Sequence, residues 1–443
     1  MDAFKINGGR RLRGSVRING SKNATLPLMA ASLLSEDTTT LLDVPELEDI
    51  KSMCKLLDSL GTKCEWSGQP PQRQVKISIA DPTPSLAHYD IVRTMRASIC
   101  VLGPLLAKRG KAKVSMPGGC NIGDRPVDLH LRGLKALGAK IHLDGGYIIA
   151  EARKLVGTRV FMGGAFGSTV LGTANVMSAA TLADGVTVIE SAACEPEIVD
   201  LANLLTAMGA KITGAGSPRI TIEGVKELHG ATYSVMADRI EAATYVIAAA
   251  MTNGDVILDN FPFDALLAVL DRLAEVGVDV EEIDATGKPM PDAALTDTDA
   301  RLRSRVRVSS TRRLQPVQVV TQPYPGFPTD VQAQMMALLT LADGNSVITE
   351  KIFPDRFMHV AELLRMGANL TRNGPSVLIT GNRELIGAPV MASDLRASAG
   401  LVLAGLAAKG ETVVNRVYHL DRGYEHMEKT LQSLGAEIER VKE

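Results

Sequence analysis

The segment PGGCNIGDRPVDL, residues 117–129, places a thiol and a guanidinium in one glycine-rich loop, with Cys120 and Arg125 among Gly118, Gly119 and Gly123. Glycine leaves such a backbone free to change conformation. A cysteine near cationic side chains has its thiolate stabilised, and its proton can be passed to a reacting carbon, so Cys120 reads as an acid or a nucleophile. The competing reading, a buried and inert thiol, suits Cys54, Cys100 and Cys194, which sit among apolar or helical residues.

Other ionic groups gather where apolar helical segments begin: Lys22 and Asn23 in SKNA, Arg93 and Arg96 in RTMRAS, Asp238 and Arg239 in ADRIE, Asp330 in FPTDVQAQ, Asp394 and Arg396 in SDLRAS. A second set of loops adds Arg356 in FPDRF and Arg422 in DRGYE. Helix N-termini carry unpaired N–H groups and partial positive charge, so several of them with cations nearby suit a ligand bearing phosphates and carboxylates. Capping and mutual pairing is the plainer reading of such residues, and it is preferred for the adjacent Asp238 and Arg239. Lys22, Arg96, Arg125, Arg356, Arg396 and Arg422 together would repel one another without an anionic ligand. No G-x-x-x-x-G-K-[ST] occurs, and GGAFG at Gly163 lacks the spacing and later acid of a dinucleotide fingerprint, so neither ATP nor NAD is implied.

The elements that must position these groups repeat. LDSLGTKCEW, LKALGAKIHL, LTAMGAKITG, LAEVGVDVEE, LLRMGANLTR and LQSLGAEIER each end a helix and begin a strand, with Gly61, Gly138, Gly209, Gly277, Gly367 and Gly435 where a left-handed residue is needed. Upstream of each glycine the order recurs: an Ala-rich apolar helix, a turn, a β-branched strand, a loop and an amphipathic helix. The apolar helices, such as IEAATYVIAAAM from Ile240, are hydrophobic on nearly every side and are expected to be buried all round. Six units exceed one core, which predicts three plus three: domains at 22–235 and at 1–21 with 236–443. Successive glycines lie 77, 71, 68, 90 and 68 residues apart, and the polar run 281–305 supplies the one excess, reading as a surface insertion.

Composition narrows the function. The 443 residues are 45% hydrophobic and 22% charged with a formal net charge of −2, so no nucleic-acid partner is expected. Apolar runs such as Ala97 to Ala107 reach about half of the roughly 20 residues a bilayer requires, and the basic N-terminus has no apolar run behind it, which predicts a cytoplasmic chain without a membrane partner. Five cysteines without a C-x-x-C pair, and seven histidines without H-E-x-x-H, offer neither a disulfide framework nor a metal site.

SKNATLPLMAASLL, RTMRAS, PGGCNIGDRPVDLHL, FPTDVQAQ, RFMHV, SDLRAS and DRGYE, in order over almost the whole chain, resemble the signature segments of the UDP-N-acetylglucosamine 1-carboxyvinyltransferase family. The resemblance implies an inside-out α/β barrel, an α/β fold of two domains, each of three βαβαββ-type repeats around buried helices, with the active site in the cleft between them. It implies transfer of the enolpyruvyl unit of phosphoenolpyruvate to the 3-hydroxyl of UDP-N-acetylglucosamine, with loss of phosphate, the first committed step of peptidoglycan synthesis. No cofactor, metal or obligate protein partner is implied. By motif, Cys120 is the proton donor, and Lys22, Asp330, Asp394 and Arg422 are counted with it as catalytic. Lys22, Asn23, Arg125 and Arg422 contact phosphoenolpyruvate, with Arg356 and Arg396 near its carboxylate. Arg96, Arg125, Pro126, Val127, Asp128, Leu129, Asp330 and Ile352 match nucleotide-sugar contacts, and Asp330 holds or deprotonates the 3-hydroxyl. Two segments depart from the family pattern: GSTVLGTAN replaces S-V-G-A-T, and Asp355 stands where Asn is usual, adding a negative charge next to Arg356.

Two other functions compete. The shikimate-pathway enolpyruvyl transferase shares the fold and lacks the cysteine loop, so PGGC at Pro117 argues against it. A non-catalytic paralogue that binds UDP-sugar would not need Lys22, Cys120, Asp330 and Arg422 together.

Overall fold

The computed structural model describes residues 2–117, 127–165, 167–290, 301–310 and 313–442. These form two compact units, one of residues 2–19 with 237–442, the other of residues 20–117 with 127–236.

Each unit is built on three buried helices. In the second they are Lys22–Ala31, Leu102–Arg109 with the 3-10 turn Arg96–Val101 before it, and Val170–Ala180. In the first they are Arg239–Met251, Gln332–Leu339 and Leu395–Ala407. Every residue of Arg239–Met251 and of Gln332–Leu339 is buried, so the apolar character on all sides has its expected cause. Within each unit the three helices pack on one another. Two glycines permit this closeness: a Cβ at Gly103 would lie 2.3 Å from the Asn175 carbonyl oxygen, and one at Gly400 would lie 2.9 Å from that of Ala333.

Each repeat adds one four-stranded sheet outside the helices, giving six. In the fifth repeat, Gln318–Val320 runs parallel to Asn345–Thr349, which is antiparallel to Ser376–Thr380, itself paired with Asn369–Asn373. Alternate residues point inward, Ile348, Val377 and Ile379 among them, so each sheet covers the helices with one apolar face. Three sheets take a strand from far along the chain. Thr232–Ser234 pairs in parallel with Thr39–Leu42, Arg13–Arg17 pairs in parallel with Asp255–Phe261, and Asp2–Asn7 lies between Glu411–Asn415 and Glu437–Lys442. Helices inside and sheets outside invert the usual barrel.

The six repeat glycines all adopt positive φ, between 83° at Gly367 and 104° at Gly209. The polar run 281–305 is not loop throughout. Glu281 and Glu282 pair with Arg307 and Val306 across a hairpin, and Arg301 holds Asp264 at 3.0 Å and Glu282 at 3.1 Å. Residues 291–300 lie outside the described part.

The chain passes between the units at 19/20 and at 236/237. On one side the Asp238 N–H donates to the Asn19 carbonyl at 2.8 Å; on the other the Ser21 N–H donates to that of Met236 at 2.7 Å. The buried Glu241 carboxyl accepts from the Asn19 N–H at 2.9 Å and from its side-chain amide at 3.0 Å.

Candidate active site

Helix starts do collect the ionic residues, and side-chain caps are one reason. Asp238 accepts from the N–H groups of Ile240 and Glu241 at 2.8 and 3.0 Å, and Asp394 from those of Arg396 and Ala397 at 3.0 and 3.2 Å. Ser21 and Thr169 cap the helices at Lys22 and Val170. The capping reading of Asp238 therefore holds, while Arg239 lies over the Tyr324 ring, 5.7 Å from its centroid.

In the unit of residues 237–442, Asp330 is clamped between two arginines. Arg356 Nη1 donates to its Oδ1 at 2.8 Å, and Arg396 Nη2 donates to its Oδ2 at 3.2 Å. Asp394 adds a second carboxylate 4.0 Å from Arg356 Nη2. Both arginine side chains are buried, and about a quarter of the Asp330 side chain remains exposed, 26%. Charge-assisted hydrogen bonds of this kind contribute roughly 1.5–3 kcal/mol each. Burial opposes the charge on Arg396, but Asp330, Tyr424 and Asp238 outweigh it and hold its pKa above the ordinary guanidinium value. Burial, against the pull of Asp394 and with the charge of Arg356, also pushes the neighbouring His359 down to about 4, so its ring is neutral.

Glu350 organises the loop beneath. Its fully buried carboxylate accepts from the Thr321 and Thr329 hydroxyls at 2.7 and 2.8 Å and from the Ile352 and Phe353 N–H groups at 2.7 and 3.0 Å. Thr329 in turn accepts from Arg356 Nη1 at 3.1 Å. One carboxylate thus places Ile352, Arg356 and the residue before Asp330.

In the unit of residues 20–236, Lys22 Nζ donates to Asp49 at 3.1 Å, both side chains being nearly buried. Asn23 follows in the first turn, partly exposed. Val127 is buried, and Asp128 and Leu129 open the helix Asp128–Ala136. Gly163–Gly164 pairs with Gly167–Ser168 in a short hairpin, and a Cβ at Gly164 would lie 3.0 Å from the Leu129 side chain. Arg132 donates to the Gly163 carbonyl at 2.7 Å. His130 Nδ1 meets the Asn175 amide at 2.9 Å; burial, with the charge of Arg96, lowers its pKa to about 4. Cys120, Arg125 and Pro126 lie outside the described residues.

Two expectations need correction. The argument that the clustered cations require an outside anion fails for three of them, because Arg356 and Arg396 share Asp330 and Lys22 has Asp49. The extra charge of Asp355 does not fall on Arg356: its exposed carboxylate takes Arg372 at 3.0 Å. Asp49 and Glu350 were missed by sequence reasoning. Asp49 had a usable signal, since on the helix Glu48–Ser59 it shares the buried face with Ile50, Met53, Leu56 and Leu57. Glu350 had none beyond its place at the end of a strand.

A model of the family described as EPSP synthase (3-phosphoshikimate 1-carboxyvinyltransferase) matches residues 6–431. Curated proteins named UDP-N-acetylglucosamine 1-carboxyvinyltransferase match the whole length. That of Methylacidiphilum infernorum is 49% identical over 441 residues, spanning 100% of this chain and 99% of its own. That of Geobacter metallireducens is 49% identical over 443 residues, spanning 100% of both. Among solved structures, the enolpyruvyl transferase NikO from Streptomyces tendae superposes with a TM-score of 0.86 at 22% identity, covering 99% of each chain. An EPSP synthase from Acinetobacter baumannii gives 0.75 at 19% identity, covering 100% of each. At these identities the structural likeness establishes the fold alone, the inside-out α/β barrel. No described helix is long and apolar enough to cross a membrane.

Proposed function

We propose that this chain, which belongs to the EPSP synthase family and within it to the UDP-N-acetylglucosamine 1-carboxyvinyltransferases, transfers the enolpyruvyl group of phosphoenolpyruvate to the 3-hydroxyl of UDP-N-acetylglucosamine and releases phosphate. The 3-hydroxyl oxygen bonds to C2 while C3 gains a proton, giving a tetrahedral intermediate. Loss of a C3 proton with cleavage of the C2–O bond to phosphate then leaves the enol ether. The product serves peptidoglycan synthesis, and the reaction takes place in the cytoplasm, where phosphoenolpyruvate is made.

The observation that carries this reading at the site is the Asp330 carboxylate held between Arg356 and Arg396. Two guanidinium bonds fix its orientation, so it holds the 3-hydroxyl as an acceptor and takes the proton as the C–O bond forms. A guanidinium has five N–H donors in a planar fork, so Arg356 and Arg396 can hold Asp330 and still receive a substrate carboxylate. Cys120 supplies the proton to C3. Lys22, Asn23, Arg125 and Arg422 take the rest of phosphoenolpyruvate, with Asp394 fixing the helix start that bears Arg396. Arg96, residues 125–129 and Ile352 take the nucleotide sugar.

The test is phosphate release from phosphoenolpyruvate with UDP-N-acetylglucosamine, with shikimate 3-phosphate, or with no acceptor. Release only in the first arm is expected. Release with shikimate 3-phosphate would assign the other carboxyvinyl transfer, and none in any arm would make the chain a non-catalytic binder.

A further inference from the structure

Below the Asp330 clamp lies a polar chain of which the reaction as described uses only Arg396. It draws one residue from each of the three buried helices of its unit: Thr244 from Arg239–Met251, Gln334 from Gln332–Leu339 and Arg396 from Leu395–Ala407. Tyr424, from the DRGYE loop, joins them. None of the four is more than 2% exposed. Polar groups are costly in such a place unless fully engaged, and apolar side chains would pack three helices at less cost.

The hydrogen positions follow from the partners. The Thr244 hydroxyl donates to the Ile240 carbonyl at 2.7 Å, so its lone pairs face the Tyr424 hydroxyl 2.8 Å away. Tyr424 is therefore the donor in that bond, and its own oxygen accepts from Arg396 Nη1 at 3.2 Å. The Gln334 amide gives one proton to the Asp330 backbone carbonyl at 3.0 Å and directs the other between Thr244 Oγ1 at 3.1 Å and Tyr424 Oη at 3.3 Å. Direction runs one way: Arg396 to Tyr424 to Thr244 to the backbone. Burial raises the Tyr424 phenol above its ordinary value, so the hydroxyl keeps the proton this order requires.

We propose that Tyr424, Thr244 and Gln334 are positioning residues of the transfer reaction, fixing the Arg396 guanidinium at one end and the Asp330 backbone at the other. The inference rests on the function proposed above. Asp330 is then held three ways: its carbonyl by Gln334, and its two carboxylate oxygens by Arg356 and Arg396. Among the described residues the Arg396 guanidinium has two hydrogen-bond anchors, Asp330 and Tyr424. Removing the Tyr424 hydroxyl leaves the guanidinium, among the described residues, hydrogen-bonded to Asp330 alone above the remaining ring, so that it can turn about that contact. A displacement on the order of 1 Å at a substrate-holding group can cost about a hundredfold in rate.

The experiment compares Tyr424→Phe, Thr244→Val and Thr244→Ser with the wild type. Steady-state constants for each substrate and a melting temperature are measured for every protein. Phe and Val keep the packing volume and remove the hydroxyl, whereas Ser restores it at position 244. Tyr424→Phe and Thr244→Val are expected to lower kcat/KM for phosphoenolpyruvate by about tenfold or more, with KM for the nucleotide sugar changed less than about twofold. Thr244→Ser should stay within about threefold of the wild type. Wild-type constants in Tyr424→Phe and Thr244→Val would overturn the positioning role, whatever their melting temperatures. So would a loss shared equally by the KM values of both substrates, or one that Thr244→Ser fails to restore, since each would mark a network that only stabilises the core. A wild type that releases no phosphate would instead refute the reaction assigned above, and the positioning role with it.

Discussion

Glu241→Gln should remove a decline in stability that the wild type shows between roughly pH 6.5 and pH 8. Glu241 is completely buried at the start of the helix Arg239–Met251. Burial and then the neighbouring Asp238 raise its pKa to about 8; the two bonds from Asn19 pull it down, and Glu425 pushes it up further. The folded chain therefore holds a proton that the unfolded chain releases near the ordinary glutamate value. The stability this proton brings is complete below that value and is lost as pH rises through about 8. The buried histidines work in the opposite direction. His130 and His359 are lowered to about 4, so their contribution is present above the unfolded value of about 6.5 and is lost on acidification. Above pH ~6.5 they add no slope to oppose that of Glu241. At 1.36 kcal/mol per unit, the interval from about 6.5 to about 8 corresponds to a loss of about 2 kcal/mol. In a unit of this size that is roughly 4–8 °C in melting temperature. Glutamine keeps one acceptor for Asn19 and cannot ionise, so the variant loses about 1 kcal/mol at every pH and shows a flatter curve. The assay is calorimetric melting of both proteins across this range in matched buffers. Parallel curves would refute the reasoning, because they would mean that Glu241 does not titrate there.

Asp330→Ala should lower kcat strongly, because a contact that strengthens as the hydroxyl loses its proton matters more to turnover than to binding; a rise in KM alone would reduce Asp330 to a substrate-positioning residue. Deleting Asp284 to Ala300 should leave activity and melting temperature nearly unchanged, since it joins Ile283 to Arg301 in a short hairpin that keeps the ion pairs of Arg301 with Asp264 and Glu282; a collapse in either measurement would show the segment to be structural. Cys120 should be alkylated by fosfomycin, an epoxide phosphonate of about the size of phosphoenolpyruvate, and faster with UDP-N-acetylglucosamine present. Peptide mapping by mass spectrometry should find one adduct, and equal labelling of Cys54, Cys64, Cys100 or Cys194, or a rate indifferent to the sugar, would contradict the reading of Cys120 as the reactive thiol beside the bound nucleotide sugar.

The sequence by itself determined the parts of this protein whose causes are local. A glycine after an amphipathic helix takes positive φ because its own lack of a Cβ allows it, and all six repeat glycines do so. An Ala-rich helix without a polar face must be buried, and alternation in the strands marks their inner side. Asp238 and Asp394 each cap the helix that begins at the next residue, accepting from N–H groups two and three residues on. The tertiary structure alone decided which charges neutralise which. Lys22 meets Asp49, and Asp330 meets Arg356 and Arg396, 26 and 66 residues away. Asp355 meets Arg372 and not its neighbour Arg356. Tyr424 reaches Thr244 across 180 residues. Periodicity specifies which face a residue occupies, but a pair interaction depends on where two faces come to rest, and that is set by how three helices and their sheets pack. The sign of a residue is legible along the chain; its counter-charge is a property of the fold.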